Sequence, residues 1–575
     1  MRGRRIVSVL GTFAVAASIT SAQPGRGGSQ WLTARADAQR TSWIRTDDKI
    51  SVASLSKPGF ERQWTVKLEN QPRGLNGLAA GVTAAGVTLF VPMSVVAGSS
   101  NNVYGIDNDT GYVVWRRHFD LPLPAPTAAC PGGITAGATR IVRLDASASA
   151  AAPGLGLGRG AVGYRSLVGE PGEGVPVEGR AGARGAPAAG GAAQAGAARG
   201  AARGQAPGRP AVPGARSGQV ADRIPGAPRR EEADSPYAFL FRESGVGYVV
   251  TSDGMLHVLG LPSGKDMQRP APFLPPNSSW SAPIAVGTTL YAATSGNCGG
   301  APSGVWAIDL DSDAKPVVSW KNNGGAVVGA VAFTSDATLI AAIGSGQTNG
   351  DGKANAIVAL DPKTLQLKDW FTQPTSDFVT GPTIVRHNGK DIVAAATKDG
   401  RIILLDASSL GGSDHAKPLL VSKPFVRPGG AVFGDAIAAW QSDERTSWIL
   451  LPVTGPRAGA VVALKLTDAG GALSLQPAWT SDDLSAPAAP LIVNGVVFTL
   501  ATGRPASANG EGTGATLHAY EGATGKPLWH SGNAMSTFAS PGSLWSGLGQ
   551  VYVGTHDGTI HAFGFNDERR HTNGG

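Results

Sequence analysis

Two carboxylates, Asp377 and Asp435, stand beside large apolar and aromatic residues in stretches that belong to no repeated pattern. A carboxylate so placed can take a proton as a general base or serve as an oxygen ligand to Ca²⁺. It can equally cap a turn or a strand end. Trp280, Trp440 and Phe538, with Phe378 next to Asp377, are aromatic residues of the same non-repeated kind and offer flat faces on which a cofactor can stack. The nine His are scattered without metal-ligand spacing, so no metal site is expected from them. No phosphate-binding loop, dinucleotide fingerprint or hydrolase elbow occurs in the context it needs.

The elements that must position these residues come from internal repetition. One unit reads as an apolar strand that ends in an acidic residue, a turn, and a strand that ends in Trp. Copies run over Val103–Trp115 (VYGIDNDTGYVVW), Val305–Trp320, Ile357–Trp370, Val461–Trp479 and Leu517–Trp529. Weaker copies are Leu256–Lys265, Ile402–Ser409 and Ile560–Phe565, the last of which stops before its Trp. Trp320 and Trp370 are 50 residues apart, and so are Trp479 and Trp529, which indicates a fixed module. Two more strands precede each unit, as in Ala489–Ala501 with its Asn494-Gly495 hairpin turn. Four antiparallel strands repeated at this period predict an all-β, eight-bladed β-propeller. A helical solenoid would need apolar spacing of i, i+3, i+4, i+7, and these segments alternate or run as short β-branched stretches. The orphan strand Phe60–Leu68, with Trp64, is expected to supply the missing outer strand of the last blade and so close the ring.

Composition divides the 575 residues further. Residues 1–22 read as a cleaved signal peptide: Arg2, Arg4 and Arg5, an apolar run from Ile6 to Ile19, then small residues up to Ala22. The propeller is expected over 31–565, with a disordered Ala/Gly/Pro/Arg-rich insert over 146–233 in blade two and a disordered tail over 566–575. The net charge of +7 is carried by the insert, where residues 151–230 hold eleven Arg against four acids. The rest is near neutral, so no basic face for nucleic acid is expected. No other apolar run reaches the ~20 residues of a membrane span. The reading is of a periplasmic or extracellular monomer that meets a protein or small-molecule ligand.

Propeller topology puts blade-to-blade connections and second-to-third-strand connections on one face. That face is expected to carry long loops at Ser94–Asn102, Gly296–Gly304, Gly344–Asn355, Thr454–Ala458 and Thr502–Thr516, and tight turns at Asp253-Gly254, Asp399-Gly400 and Asp557-Gly558. The candidates Asp377, Asp435, Trp280, Trp440 and Phe538 are all assigned to it. Loops gathered on one face commonly form a binding surface. Cys130 and Cys298 fall on the same face of adjacent blades, and in an exported protein they are expected to form a disulfide.

The pattern A-x-D-x-x-T-G-x-x-x-W, best matched in Tyr104–Trp115 (YGIDNDTGYVVW) and His518–Trp529 (HAYEGATGKPLW), resembles the repeat of pyrroloquinoline quinone (PQQ) enzymes, the bacterial quinoprotein dehydrogenases. The stretch WLTARADAQRTSW, with Asp37 and Arg40, is similar to the lead-in segment of such proteins. The resemblance implies PQQ and Ca²⁺ as cofactors and oxidation of an alcohol or sugar. Two family features are missing: a vicinal Cys-Cys pair and the acidic catalytic motif. A similar repeat also builds a propeller of outer-membrane assembly that holds no quinone. The expectation is therefore an exported, non-catalytic binding or scaffold protein, with a PQQ- and Ca-dependent dehydrogenase as the alternative.

Overall fold

The computed structural model describes residues 30–566, except 145–244 and short stretches at 89–90, 128–129, 297, 349, 374–375, 444, 457 and 507–511. The expected signal peptide, the body of the insert and nearly all of the tail lie outside the described residues. Among those described, no helix is long and apolar enough to cross a membrane.

Eight small antiparallel sheets form the ring. Their third strands are Asn102–Asp107, Met255–Gly260, Gly304–Asp309, Ala356–Leu360, Ile402–Asp406, Ala460–Ala469, Thr516–Glu521 and Thr559–Phe565, in the eight places where the repeat was counted. Phe60–Lys67 pairs antiparallel with Thr559–Phe565, so the N-terminal strand closes the last blade. Residues 145–244 fall between the inner edge of blade two, where Thr139 bridges Tyr248, and its second strand Val246–Val250. One expected long loop is short: in blade one the second strand continues to Gly98 and the third starts at Asn102. The β-branched and apolar run there extends the ladder through what was read as a loop.

The repeated Trp is a wedge between neighbouring blades. Trp115 of blade one donates from Nε1 to the Leu261 carbonyl of blade two at 2.6 Å. Trp479 of blade six makes the same bond to Gly522 of blade seven at 2.9 Å. Trp64, on the closing strand, makes it to Asn108 of blade one at 2.8 Å. Each bond reaches three residues upstream of the Gly that ends the D-x-x-T-G turn or its variant. That Gly serves two needs. At Gly525 φ is +73°, and a Cβ there would lie 2.6 Å from the Trp479 ring; at Gly264 φ is +65°, and a Cβ would lie 2.4 Å from Trp115. The turn thus supplies a flat seat for the indole of the preceding blade. Each seated Trp contributes about 2–3 kcal/mol of transfer free energy.

Inside this ring lies a feature the repeats do not contain. Residues 31–44 run around the propeller axis and bond to blades one to seven in turn. The carbonyl of Trp31 accepts from the Thr83 amide of blade one at 2.8 Å, and that of Leu32 from Arg140 of blade two at 2.7 Å. Thr33 Oγ1 donates to the Pro283 carbonyl of blade three at 3.1 Å. Ala38, Gln39, Thr41 and Ser42 then accept from Phe333, Ile384, Ala439 and Ile492 of blades four to seven, at 2.8–2.9 Å. Asp47 completes the circuit by accepting from the Gly549 amide of blade eight at 3.1 Å. Trp43–Ile44 also pair in parallel with Ile492–Val493. Tight curvature forces Arg35, Ala36, Arg40 and Ser42 to positive φ, a cost of roughly 1–2 kcal/mol each that the blade contacts must offset.

Gly525→Ala is expected to destabilise the protein by about 2–4 kcal/mol, from overpacking against the ring plus left-handed strain. Gly532→Ala, where φ is +55° and nothing lies within 4 Å, should lose only about 1–2 kcal/mol. Denaturant titration of both variants reads the difference, and equal losses would contradict the wedge.

Candidate functional site

Where the eight inner strands converge they leave a funnel of about 440 Å³ above the axial segment. Its wall is made by residues in or before the inner strands of seven blades: 75–80, 134–137, 280–282, 330, 381–383, 434–436, 540–542 and 544. Ala, Gly and Pro dominate this wall, because small residues suit strands that crowd around an axis. Ala34, Arg35 and Arg40 of the axial segment form its floor.

Arg40 is a structural cation. Its Nε donates to the Val331 carbonyl at 2.8 Å, Nη1 to Thr33 Oγ1 and the Ala34 carbonyl at 3.0 and 2.6 Å, and Nη2 to the Ala282 carbonyl at 3.0 Å. Burial pulls its guanidinium down to about 9, with Asp37 opposing the shift, so it stays charged at neutral pH. Asp37 is buried beside it. Burial pushes that carboxyl up, while hydrogen bonds from the Thr41 hydroxyl and amide act the other way. Arg35 differs from Arg40: its Nη2 reaches Asp435 Oδ1 at 3.4 Å, a long contact to a side chain that is 65 % exposed.

The structure brings together only some of the residues singled out in the sequence. Asp435 and Trp280 are both on the funnel wall. Trp280 is buried, and neither its Nε1 nor the Oγ of neighbouring Ser281 has a hydrogen-bond partner among the described residues. Asp377 and Phe538 stand outside the wall, beside the tight turns of blades five and eight. The Asp377 carbonyl accepts from Lys398, that of Phe538 from His556, and the Phe538 ring stacks on His556 at 4.3 Å. Trp440 is placed differently from its assignment to the long-loop face. It pairs with Trp448 across the first hairpin of blade six, which lies at the opposite end of the strands. Its ring is buried against Trp448 at 5.7 Å. Arg35 was not singled out in the sequence. The available signal was its place between Trp31 and Arg40 in the lead-in stretch.

Cys130 and Cys298 are joined by a disulfide with Cα atoms 5.5 Å apart. It ties the connection from blade one to blade two to the loop 295–303 of blade three. That connection continues into Ile134–Gly137 on the funnel wall, and Arg73 also holds it by donating to the Pro131 carbonyl at 2.8 Å. Replacing both cysteines with Ser is expected to cost about 3–5 kcal/mol by the chain-entropy argument, read by denaturant unfolding with and without reductant. Unchanged stability would show that closing this loop contributes nothing to folding.

The donor set does not suit a Ca²⁺–quinone centre. Calcium takes six to eight oxygens, usually including several carboxylates. Among the described residues Asp435 is the one carboxylate on the wall, and it already faces Arg35. Among the described residues no group of three or more His, Cys, Asp or Glu could hold a metal. Among the described lining residues, Trp280 and Arg35 match what a planar polycarboxylate would need.

No protein-family model matches the sequence, and no curated protein matches it. Solved structures do match in fold. Quinohemoprotein alcohol dehydrogenase from Comamonas testosteroni aligns over 93 % of this chain and 80 % of its own, at 14 % identity and a TM-score of 0.51. Quinohemoprotein alcohol dehydrogenase ADHIIG from Pseudomonas putida HK5 aligns over the same shares, at 11 % identity and a TM-score of 0.52. A europium-containing methanol dehydrogenase aligns over 94 % of this chain and 98 % of its own, at 11 % identity and a TM-score of 0.52.

Proposed function

We propose that this chain, which has the eight-bladed fold of the PQQ-type propellers, is an exported binding protein that takes its ligand in the axial funnel and carries out no redox chemistry there. The observation that carries this reading is the funnel's charge inventory. Among the described residues Arg35, Arg40 and Asp435 are its charged lining residues, and one carboxylate cannot assemble the oxygen shell that Ca²⁺ needs. The disulfide and the basic-then-apolar N-terminus support a periplasmic or extracellular location. A funnel braced by that disulfide suits a small molecule, and the loops of the same face can extend the contact to a protein.

A PQQ- and Ca-dependent dehydrogenase is the second reading. It is favoured by the shared fold and by Trp280 on the wall. In that case Trp280 would face the quinone, Arg35 would meet a carboxylate, and the cofactor would accept the electrons of an alcohol or sugar.

The purified protein, mixed with PQQ and Ca²⁺, is expected to show no tight binding by calorimetry and no dye reduction with alcohols or sugars. Tight binding together with substrate-dependent dye reduction would replace the first reading by the second.

A further inference from the structure

We infer that the funnel recognises an organic carboxylate, which displaces Asp435 from Arg35. This names the ligand class for the binding reading above and rests on it. The inference starts from what each charge is doing. Arg40 spends its N–H groups on four acceptors of the protein itself and has Asp37 beside it, so it has little to offer a ligand. Arg35 is the cation whose recorded partner can leave. Its side chain is 15 % exposed, whereas that of Asp435 is 65 % exposed and sits 3.4 Å away. An ion pair of that length and exposure is worth roughly 0.2–1 kcal/mol. The Asp435 backbone stays fixed when the side chain turns to water, because its carbonyl accepts from the Gly381 amide at 2.8 Å.

The swap conserves charge: one carboxylate leaves the guanidinium and another arrives. The arriving one can lie deeper and make the bidentate contact that guanidinium geometry favours. The wall selects an organic anion over sulfate or phosphate. Alanines and prolines line it, and Leu75, one of the most exposed large apolar side chains among the described residues, belongs to the same lining.

The test uses matched probes on the full protein: butanoate, benzoate and succinate, their amides, and inorganic sulfate, read by titration calorimetry and thermal shift. Carboxylates are expected to bind and raise the melting temperature, with their amides and sulfate much weaker. Arg35→Gln should abolish carboxylate binding while Arg35→Lys retains part of it. Asp435→Asn should tighten binding about two- to fivefold by removing the internal competitor. Equal binding of acids and amides, unchanged in Arg35→Gln, overturns the carboxylate inference and leaves the binding reading standing. Sulfate binding as well as the acids overturns the organic part. Failure of every probe, acid and amide, at millimolar concentration removes both. Should Arg35→Gln fail to fold, a weakening in Asp435→Asn overturns the inference by itself.

Discussion

One strip of backbone at the axis sets the rest of this molecule in place. Between Trp31 and Asp47 the chain gives each of the eight blades a hydrogen bond, in the order in which the blades occur along the sequence. A buried amide without a partner costs about 1–3 kcal/mol, so these inner-strand amides need the strip as much as it needs them. Arg40 fixes the strip's depth by bonding to carbonyls of blades three and four at once. The funnel above is a consequence: without this floor the inner strands would surround an open channel.

The wedges between blades and the strip at the axis divide the work. Trp64, Trp115 and Trp479, each seated on the turn of the next blade, set the spacing around the rim. The axial strip sets the radius at the centre. A site built between them inherits rigid walls, so specificity is left to the larger side chains among the small-residue lining, Arg35, Leu75 and Asp435 among them. The disulfide adds a local brace on the side where blades one to three meet.

The fold was legible in the sequence because propeller blades must repeat. The turns after the third strands of blades one, two and seven seat a neighbouring indole, so Asp, Thr, Gly and Trp recur at fixed offsets and mark the blades. The ring closure was legible too, since Ile560–Phe565 lacks an outer strand and Phe60–Leu68 lacks partners. The site was only partly legible. Trp280 and Asp435 reach the funnel because they directly precede inner strands, a position the repeat defines. Trp440 does not, because the blade-six strand places it at the far end, where it stacks on Trp448. Arg35 and the course of residues 31–44 had no signal of period at all: a chain that passes each blade in turn cannot repeat, and its left-handed residues carry no glycine to betray them.

The most direct measurement of the axial constraint is site-resolved hydrogen exchange on the wild type and on Arg40→Met. The amides of Thr83, Arg140, Phe333, Ile384, Ala439 and Ile492 are predicted to be slow in the wild type and to lose protection together in the variant, while amides of the outer strands change less. Loss confined to blades three and four, or no loss at any of the six, would contradict the claim that one strip holds the ring at its centre.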